Sequence, residues 1–345
     1  MKLLSICNPS RYSSPLLDIP IFYQRLALDE RFEFFHIPTE GVFTQGANTE
    51  SIQVAPVKGI LPYTTFLELD SQVRDWRSLE EFDLVFCRTL KPFPEGYLDR
   101  LRLWEPFVKF VNSPTGIHEQ IQQEFLLKVA SKFTPDMVVT DSWMEALTFF
   151  EKHQVIVAKR YNSCGGRGVF KIWYDKGHFL VDNPFAGTRE FTHFSEVMNY
   201  LKGSTGKPLQ FVQYLQRVDA GDKRIVVVDG EIYGAYIRRS KSGHWVHNVS
   251  VDGECFLSDI SSEEKEAIDA TFEHYRCRGI HTLGYDFLMN DEGNWCISEI
   301  NGGNIGGFAR LELLTNQSIM ERLFTWMIEF SRKPRKNLSL GLVED

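Results

Sequence analysis

Residues 282–301, TLGYDFLMNDEGNWCISEIN, constrain the fold more tightly than any other part of the chain. Two apolar runs of strand length flank Asp291-Glu292-Gly293, and turn residues between such runs specify a β-hairpin. Centred on that turn, the register sets Asp286 roughly opposite Glu299, with Asn301 two residues further along the same face, because side chains alternate with a period of two. Two carboxylates facing each other across a ladder repel, and a partly buried pair ionises comfortably only with a cation between them. Asp, Glu and an amide carbonyl are oxygen ligands suited to a hard ion such as Mg2+, which takes one or two carboxylates and completes its shell with phosphate and water. A solvated polar face on an edge strand would give the same pattern.

A second segment, VIVAKRYNSCGGRGVFKI at 155–172, ends an apolar strand on Lys159 and turns through Gly165, Gly166 and Gly168 before another strand. The lysine precedes the glycines, so this is not a Walker A loop, which carries its lysine after them on a helix. Glycines in a hairpin still let backbone N–H groups approach a phosphate closely. A surface hairpin with a snorkelling lysine is the alternative. In GDKRIVVVDGEIYGAYIRRS, at 221–240, Asp229-Gly230 is a two-residue hairpin turn. A regular register pairs Arg224 with Ala235 and puts Arg239 on the face of Arg224, with Arg238 pointing away. Paired guanidinium forks suit phosphate or carboxylate oxygens; two solvated edge arginines are the bland counterpart.

The remaining sequence sets limits on class. A chain of 345 residues, 43% of them hydrophobic, can build a large core but exceeds one compact domain, so two or three subdomains are expected. The net charge of -8 carries no long basic run, which argues against nucleic acid as a partner. No stretch approaches the roughly 18 apolar residues that cross a bilayer, and the N-terminal apolar run is too short for a signal peptide. Cys7, Cys87, Cys164, Cys255, Cys277 and Cys296 form no CxxC pair and read as reduced thiols, so a soluble cytoplasmic protein is expected. Strand patterns at 2–7, 32–37 and 82–88 with an amphipathic stretch at 16–28 indicate an N-terminal α/β unit, with a seam near residue 112. Helices are expected over 119–132 and over 142–152, the latter capped by Asp141 or Ser142.

Taken in order, DLVFCRTLKPFPEGY, VNSP, FTPDMVVT, the lysine strand with SCGGRG, GDKRIVVVDGE, and LGYD followed by SEIN resemble the bacterial glutathione synthetase branch of the ATP-grasp superfamily over nearly the whole chain. The resemblance implies an α/β ATP-grasp fold. Its parts would be an N-terminal α/β domain at 1–112, a central lid subdomain at 113–208, a C-terminal sheet domain at 209–332 that clamps ATP, and a mobile tail at 333–345. It implies an ATP-dependent ligase joining a small-molecule carboxylate to an amine, such as amino acids or peptides, through an acyl phosphate. Mg2+ would be the metal, with Mn2+ as a substitute; neither nucleic acid nor membrane is implied, and a homo-oligomer stays open.

Residue by residue, the resemblance implies Lys159 on nucleotide phosphates, Gly165 and Gly166 in the lid loop, and Gln213, Tyr214 and Leu215 as the hinge beside adenine. Asp222 would approach the ribose, Arg224 and Arg239 the acyl phosphate or substrate, and Asp286, Glu299 and Asn301 the metal ions. The chain departs from the family at three places. Gln123 and Glu124 stand where a helix lysine contacts ATP, with Lys128 one turn later as its replacement. Asn248 lies in HNVSVDGE in place of an Asn with a glycine cluster. Gly302-Gly303-Asn304-Ile305-Gly306-Gly307 replaces a Val-Thr-Ser-Pro-Thr run. An ATP-grasp kinase acting on a small hydroxyl compound, or a nucleotide-binding regulatory protein, are the rival readings.

Overall fold

The computed structural model describes residues 1–44, 50–72, 74–203, 206–241, 245–246 and 253–334; Asn248 and nearly all of the expected mobile tail lie outside the described residues. The N-terminal apolar runs form the parallel strands Lys2–Ile6, Glu33–Ile37, Leu84–Cys87 and Phe110–Val111, and the antiparallel strands Ser51–Val57 and Asp75–Ser78 extend the same sheet. The helix Asp18–Leu26 covers one face, with Phe22 edge-on to Phe86 at 5.4 Å between ring centroids.

The helix expected over 119–132 is two helices, Pro114–Gln120 and Gln123–Ala130. Ser113 starts the first by accepting the Gly116 N–H at 3.1 Å, with Pro114 in the first-turn position where its missing N–H is not needed. The helix Trp143–His153 begins where expected, Ser142 accepting from the Glu145 N–H at 3.4 Å.

The second sheet is antiparallel, in the order Gly187–Phe191, His178–Asn183, Val169–Asp175, Val155–Lys159, Leu209–Gln213, Met137–Thr140. Its apolar face and the helices Trp143–His153 and Phe194–Lys202 make a core drawn only from residues 138–211.

The third sheet runs Gly253–Leu257, Glu231–Ser240, Asp222–Val228, Thr282–Met289, Trp295–Asn301, all antiparallel. The helix Ser262–Arg276, started by a reciprocal Ser261/Glu264 capping box, buries the back of this sheet through Tyr285, Phe287 and Ile300. Lys223 reaches the same helix with its Nζ 2.7 Å from Glu264. The last helix, Ile319–Arg332, returns to the N-terminal unit: Phe324 lies 5.6 Å from both Phe22 and Phe32. The other two apolar cores therefore each mix residues of the first and third sheets.

Candidate active site

The Asp229-Gly230 turn forms as its composition dictates, with both residues at positive φ (50° and 88°), the geometry of a two-residue hairpin. Beyond it the register slips. Val226 pairs with Gly234 and Val227 with Ile232, so Tyr233 is the extra residue of a bulge. Arg224 consequently faces Tyr236, not Ala235, and Asp222 faces Arg238. This corrects the regular-register expectation: Arg238, not Arg239, shares the face of Arg224. Arg239 sits on the opposite face, its Nε 3.2 Å from the Ala220 carbonyl and its guanidinium 5.8 Å from the Phe256 ring.

The side of the third sheet away from the helix Ser262–Arg276 carries a row across four strands, Tyr236–Arg224–Asp286–Glu299, because each is the direct cross-strand partner of the next, and the first three are buried. Arg224 grips Asp286 with two parallel bonds, Nε to Oδ1 at 2.5 Å and Nη2 to Oδ2 at 2.7 Å. This fork-on-carboxylate geometry is the strong form of the ion pair. Arg238 Nη2 bonds Asp286 Oδ1 at 2.7 Å and Asp222 Oδ2 at 2.6 Å. Gly284 makes the arrangement sterically feasible, since a Cβ there would stand 2.7 Å from Arg224 Nη1.

Burial and charge oppose each other in this cluster. Burial pushes the Asp286 carboxyl up, yet Arg224 and Arg238 together outweigh it and hold the group below the usual carboxylate range. Asp222 goes the other way: burial, aided by the Asp286 charge and only partly offset by Arg238, raises it to about 6. Asp222 Oδ1 and Arg238 Nε are both buried without a partner among the described residues.

The hairpin 282–301 keeps the symmetric register from Met289–Trp295 to Phe287–Ile297, which by itself would set Asp286 opposite Ser298; a shift between Asp286 and Phe287 makes Ser298 the extra residue and pairs Asp286 with Glu299 and Gly284 with Asn301. The cation expected between the two acids is in part the protein's own, since both Asp286 oxygens already receive guanidinium N–H groups. Asn301 Nδ2 donates to Asp286 Oδ2 at 3.0 Å, so its amide oxygen is the atom left for a ligand. Among the described residues no three His, Cys, Asp or Glu side chains are grouped so as to hold a metal ion by themselves. The donor set of two carboxylates and one amide oxygen fits a hard ion that completes its shell with phosphate and water.

Lys159 closes the strand Val155–Lys159 and extends its Nζ to 2.8 Å from the Ser298 carbonyl, which joins the second sheet to the hairpin. Gln123 donates to the Lys159 carbonyl at 2.7 Å, whereas Lys128, one turn on, has no polar partner among the described residues. Gly165 and Gly166 take φ of 63° and 78°, and Asn183 Nδ2 bonds the Gly166 carbonyl at 3.2 Å. Their loop rests on the N-terminal unit: Asn162 exchanges two bonds with the Phe93 backbone at 2.9 and 3.0 Å. Gln213 ends its strand, the Tyr214 N–H bonds the Val155 carbonyl at 3.2 Å, Leu215 is buried, and the Gln216 N–H bonds Asp291 at 2.8 Å, so 213–216 straps the second sheet to the third. Asp222 turns into the arginine cluster.

Sequence reasoning turned Arg238 to the wrong face and passed over Asp18. Gly234, a glycine inside an apolar run, was the available sign of the bulge that turns Arg238 inward. Asp18 accepts the Gly307 and Ala309 N–H groups, the latter at 2.6 Å, and so anchors the glycine run to the N-terminal unit.

Comparison with known proteins agrees with this architecture. The glutathione synthetase of Prochlorococcus marinus subsp. pastoris is 21% identical over 334 residues, covering 95% of this chain and 99% of that one. That of Brucella melitensis is 28% identical over 276 residues, covering 79% and 80%. The crystal structure of D-alanyl-alanine synthetase A from Vibrio cholerae superposes with a TM-score of 0.61 at 13% identity over 96% of this chain and 98% of that chain, which shows a shared fold. The model of the prokaryotic glutathione synthetase ATP-grasp domain matches residues 123–315, more than half of the chain, and the chain belongs to that family.

Proposed function

We infer that this chain is an ATP-dependent carbon–nitrogen ligase of glutathione synthetase type, joining a carboxylate to an amine through an acyl phosphate. The observation that carries this reading is the convergence of Arg224, Arg238, Asp286, Glu299 and Asn301 on one sheet face beside Lys159. A carboxylate oxygen of the first substrate attacks the γ-phosphorus of ATP, the bond to ADP breaks, and an acyl phosphate forms. The amine then adds to the acyl carbon, phosphate leaves with the carbon–oxygen bond, and the amine loses one proton to phosphate or solvent. No protein nucleophile is needed. Asp286, Glu299 and Asn301 would hold Mg2+, which would supply charge neutralisation at the phosphates, and Mn2+, which shares its preference for oxygen ligands, would fit the same donors.

The protein's share is position and charge. Lys159 is assigned to the nucleotide phosphates with the backbone at Gly165 and Gly166, and Gln213, Tyr214 and Leu215 to the adenine. Arg224 and Arg238 are assigned to the transferring phosphoryl group and the oxyanion of the addition step, with stabilisation that grows as charge develops there. We assign the working parts to residues 1–112, 113–208 and 209–332. The self-contained core within 138–211 supports a central unit that moves over the nucleotide and excludes water from the acyl phosphate. Amino acids or small peptides are the substrate class, after the glutathione synthetases it resembles. The six free cysteines suit a reducing cytoplasm.

Incubating the protein with ATP, Mg2+, hydroxylamine and a panel of amino acids and dipeptides tests the reaction class. Carboxylate-dependent ADP release with a hydroxamate product is expected. A phosphorylated alcohol, or ADP release indifferent to every carboxylate and amine, would overturn it.

A further inference from the structure

Residues 91–94 read Lys-Pro-Phe-Pro and follow the strand Leu84–Cys87 without entering a helix or another strand. Proline has no main-chain N–H and its ring fixes φ, so Phe93 carries the one backbone donor between Pro92 and Pro94 on a stiff support. The Phe93 ring stacks on Tyr97 at 5.4 Å between centroids, and Tyr97 is buried with its hydroxyl 2.8 Å from Thr89 Oγ1. This stretch is a firm ledge on the N-terminal unit.

The glycine loop between Lys159 and Val169 is seated on that ledge by a side chain. Asn162 Oδ1 accepts the Phe93 N–H at 2.9 Å, and Asn162 Nδ2 donates to the Phe93 carbonyl at 3.0 Å. A carboxamide offers an acceptor and a donor side by side, so one side chain satisfies both main-chain groups of Phe93 as a strand partner would. Two residues on, Cys164 Sγ lies 2.8 Å from the Lys91 carbonyl. The far half of the loop belongs to the second sheet instead, since Asn183 Nδ2 bonds the Gly166 and Val169 carbonyls at 3.2 and 2.9 Å. Gly165 and Gly166 thus hang between two units, and Asn162 makes the bonds on the N-terminal side.

The same ledge meets the metal hairpin's continuation. Phe93 Cζ lies 3.6 Å from where a Cβ on Gly303 would stand, two residues past Asn301. Phe93 therefore touches the loop assigned to the phosphates through its main chain and the end of the hairpin through its ring. We propose that Asn162 is a positioning residue, which fixes the glycine loop at its working distance from the Asp286–Glu299–Asn301 row and so keeps water from the acyl phosphate. The proposal rests on the ligase reading above. With the loop released, water adds to the acyl carbon in place of the amine, the carbon–oxygen bond to phosphate breaks, and the two protons of water pass to phosphate and solvent. The carboxylate is regenerated and ATP is consumed without product.

Two variants isolate the carboxamide. Asn162 has a φ of 51°, which Asp and Gly both tolerate. Asn162→Asp has the same shape but sets a second oxygen against the Phe93 carbonyl, and Asn162→Gly deletes both bonds. Trypsin cleavage after Arg167, which is exposed in the loop, is followed by fragment mass on the full chain with Mg2+ and a non-hydrolysable ATP analogue, after urea unfolding has shown each variant folded. ADP and hydroxamate are counted in parallel with ATP, hydroxylamine and the panel of amino acids and dipeptides. Cleavage should be about tenfold faster in both variants, the effect of losing neutral hydrogen bonds on a local opening equilibrium. ADP formed per hydroxamate should rise about twofold or more, as expected when water enters the site. A residue that only shaped the turn would leave that ratio unchanged in Asn162→Asp. Wild-type cleavage in Asn162→Asp, or faster cleavage with an unchanged ratio, would overturn the proposal. Faster cleavage with no carboxylate-dependent ADP release from any of the three proteins would keep the loop contact and reject the ligase chemistry.

Discussion

Arg238 Nη2 reaches over the intervening strand Asp222–Val228 to bond Asp286 Oδ1 at 2.7 Å, while the same nitrogen holds Asp222 at 2.6 Å. The neighbouring arginine has no part in this cluster. Arg238→Ala should therefore lower the rate of ADP release by roughly 100- to 1000-fold, the usual loss when one charged donor leaves a reacting centre. Arg239→Ala should stay within a few-fold of wild type. Steady-state kinetics on the two variants distinguish the faces; a larger loss in Arg239→Ala would mean that the bulge at Tyr233 does not set the active register.

Asp286 and Glu299 should separate in stability even though both are assigned to metal. Asp286 is the sole carboxylate bonded by Arg224 among the described residues, so Asp286→Asn leaves buried guanidinium groups short of countercharge, at a cost of about 3–5 kcal/mol. Glu299→Gln removes only a cross-strand like-charge contact and should change stability by less than about 1 kcal/mol. Both should lose turnover. Urea unfolding in EDTA measures the first contrast, and equal destabilisation by the two substitutions would refute it.

Lys159 ties the second sheet to the hairpin through its 2.8 Å bond to the Ser298 carbonyl. Lys159→Met keeps most of the stem and deletes the charge. ATP affinity should fall by about 1.5–3 kcal/mol, the worth of one charge-assisted hydrogen bond. Titration calorimetry with ATP reads this directly, and an unchanged dissociation constant in a folded variant would remove Lys159 from the nucleotide site.

Asp229 supplies a pH-dependent contribution away from the chemistry. Its carboxyl is held well below the usual range, first by the hydrogen bond with His281, Nδ1 to Oδ1 at 2.9 Å, and then by Lys333. A folded-state value below the unfolded one stabilises above about pH 4, and that contribution is lost as pH falls through the folded value. Asp229→Asn suits the same positive φ but carries no charge. The wild type should be the more stable at pH 6, with the difference shrinking as pH falls below about 4 and gone only below the depressed folded-state value; a difference that grew in acid would reverse the sign argued here.

The hairpin 282–301 was legible because its turn residues fix the register to within one residue, and the extra residue at Ser298 completes the pairing of Asp286 with Glu299. The hairpin 222–240 was legible to its turn and misread beyond it, because one added residue at Tyr233 exchanges the faces of Arg238 and Arg239 without altering the apolar pattern. The break between Gln120 and Gln123 left the apolar spacing intact and so hid the split helix. Gly187–Phe191 is exposed along most of its length, and an edge strand without an apolar face gives periodicity nothing to detect. The contact of Asn162 with Phe93 joins positions 69 apart, a juxtaposition that only the assembled fold creates.

Phe324 stacks its edge against Phe22 and Phe32, so the first sheet is finished by the last helix. On the ribosome, the strands made first have only the helix Asp18–Leu26 over this face, and its cover is completed when Ile319–Arg332 has been translated and has left the exit tunnel. The central unit, whose core closes within 138–211, carries no such delay. Synthesis in order thus completes the core of the middle of the molecule before that of its beginning, and a chain shortened by the helix Ile319–Arg332 would leave the ribosome with Phe22 and Phe32 lacking the Phe324 ring.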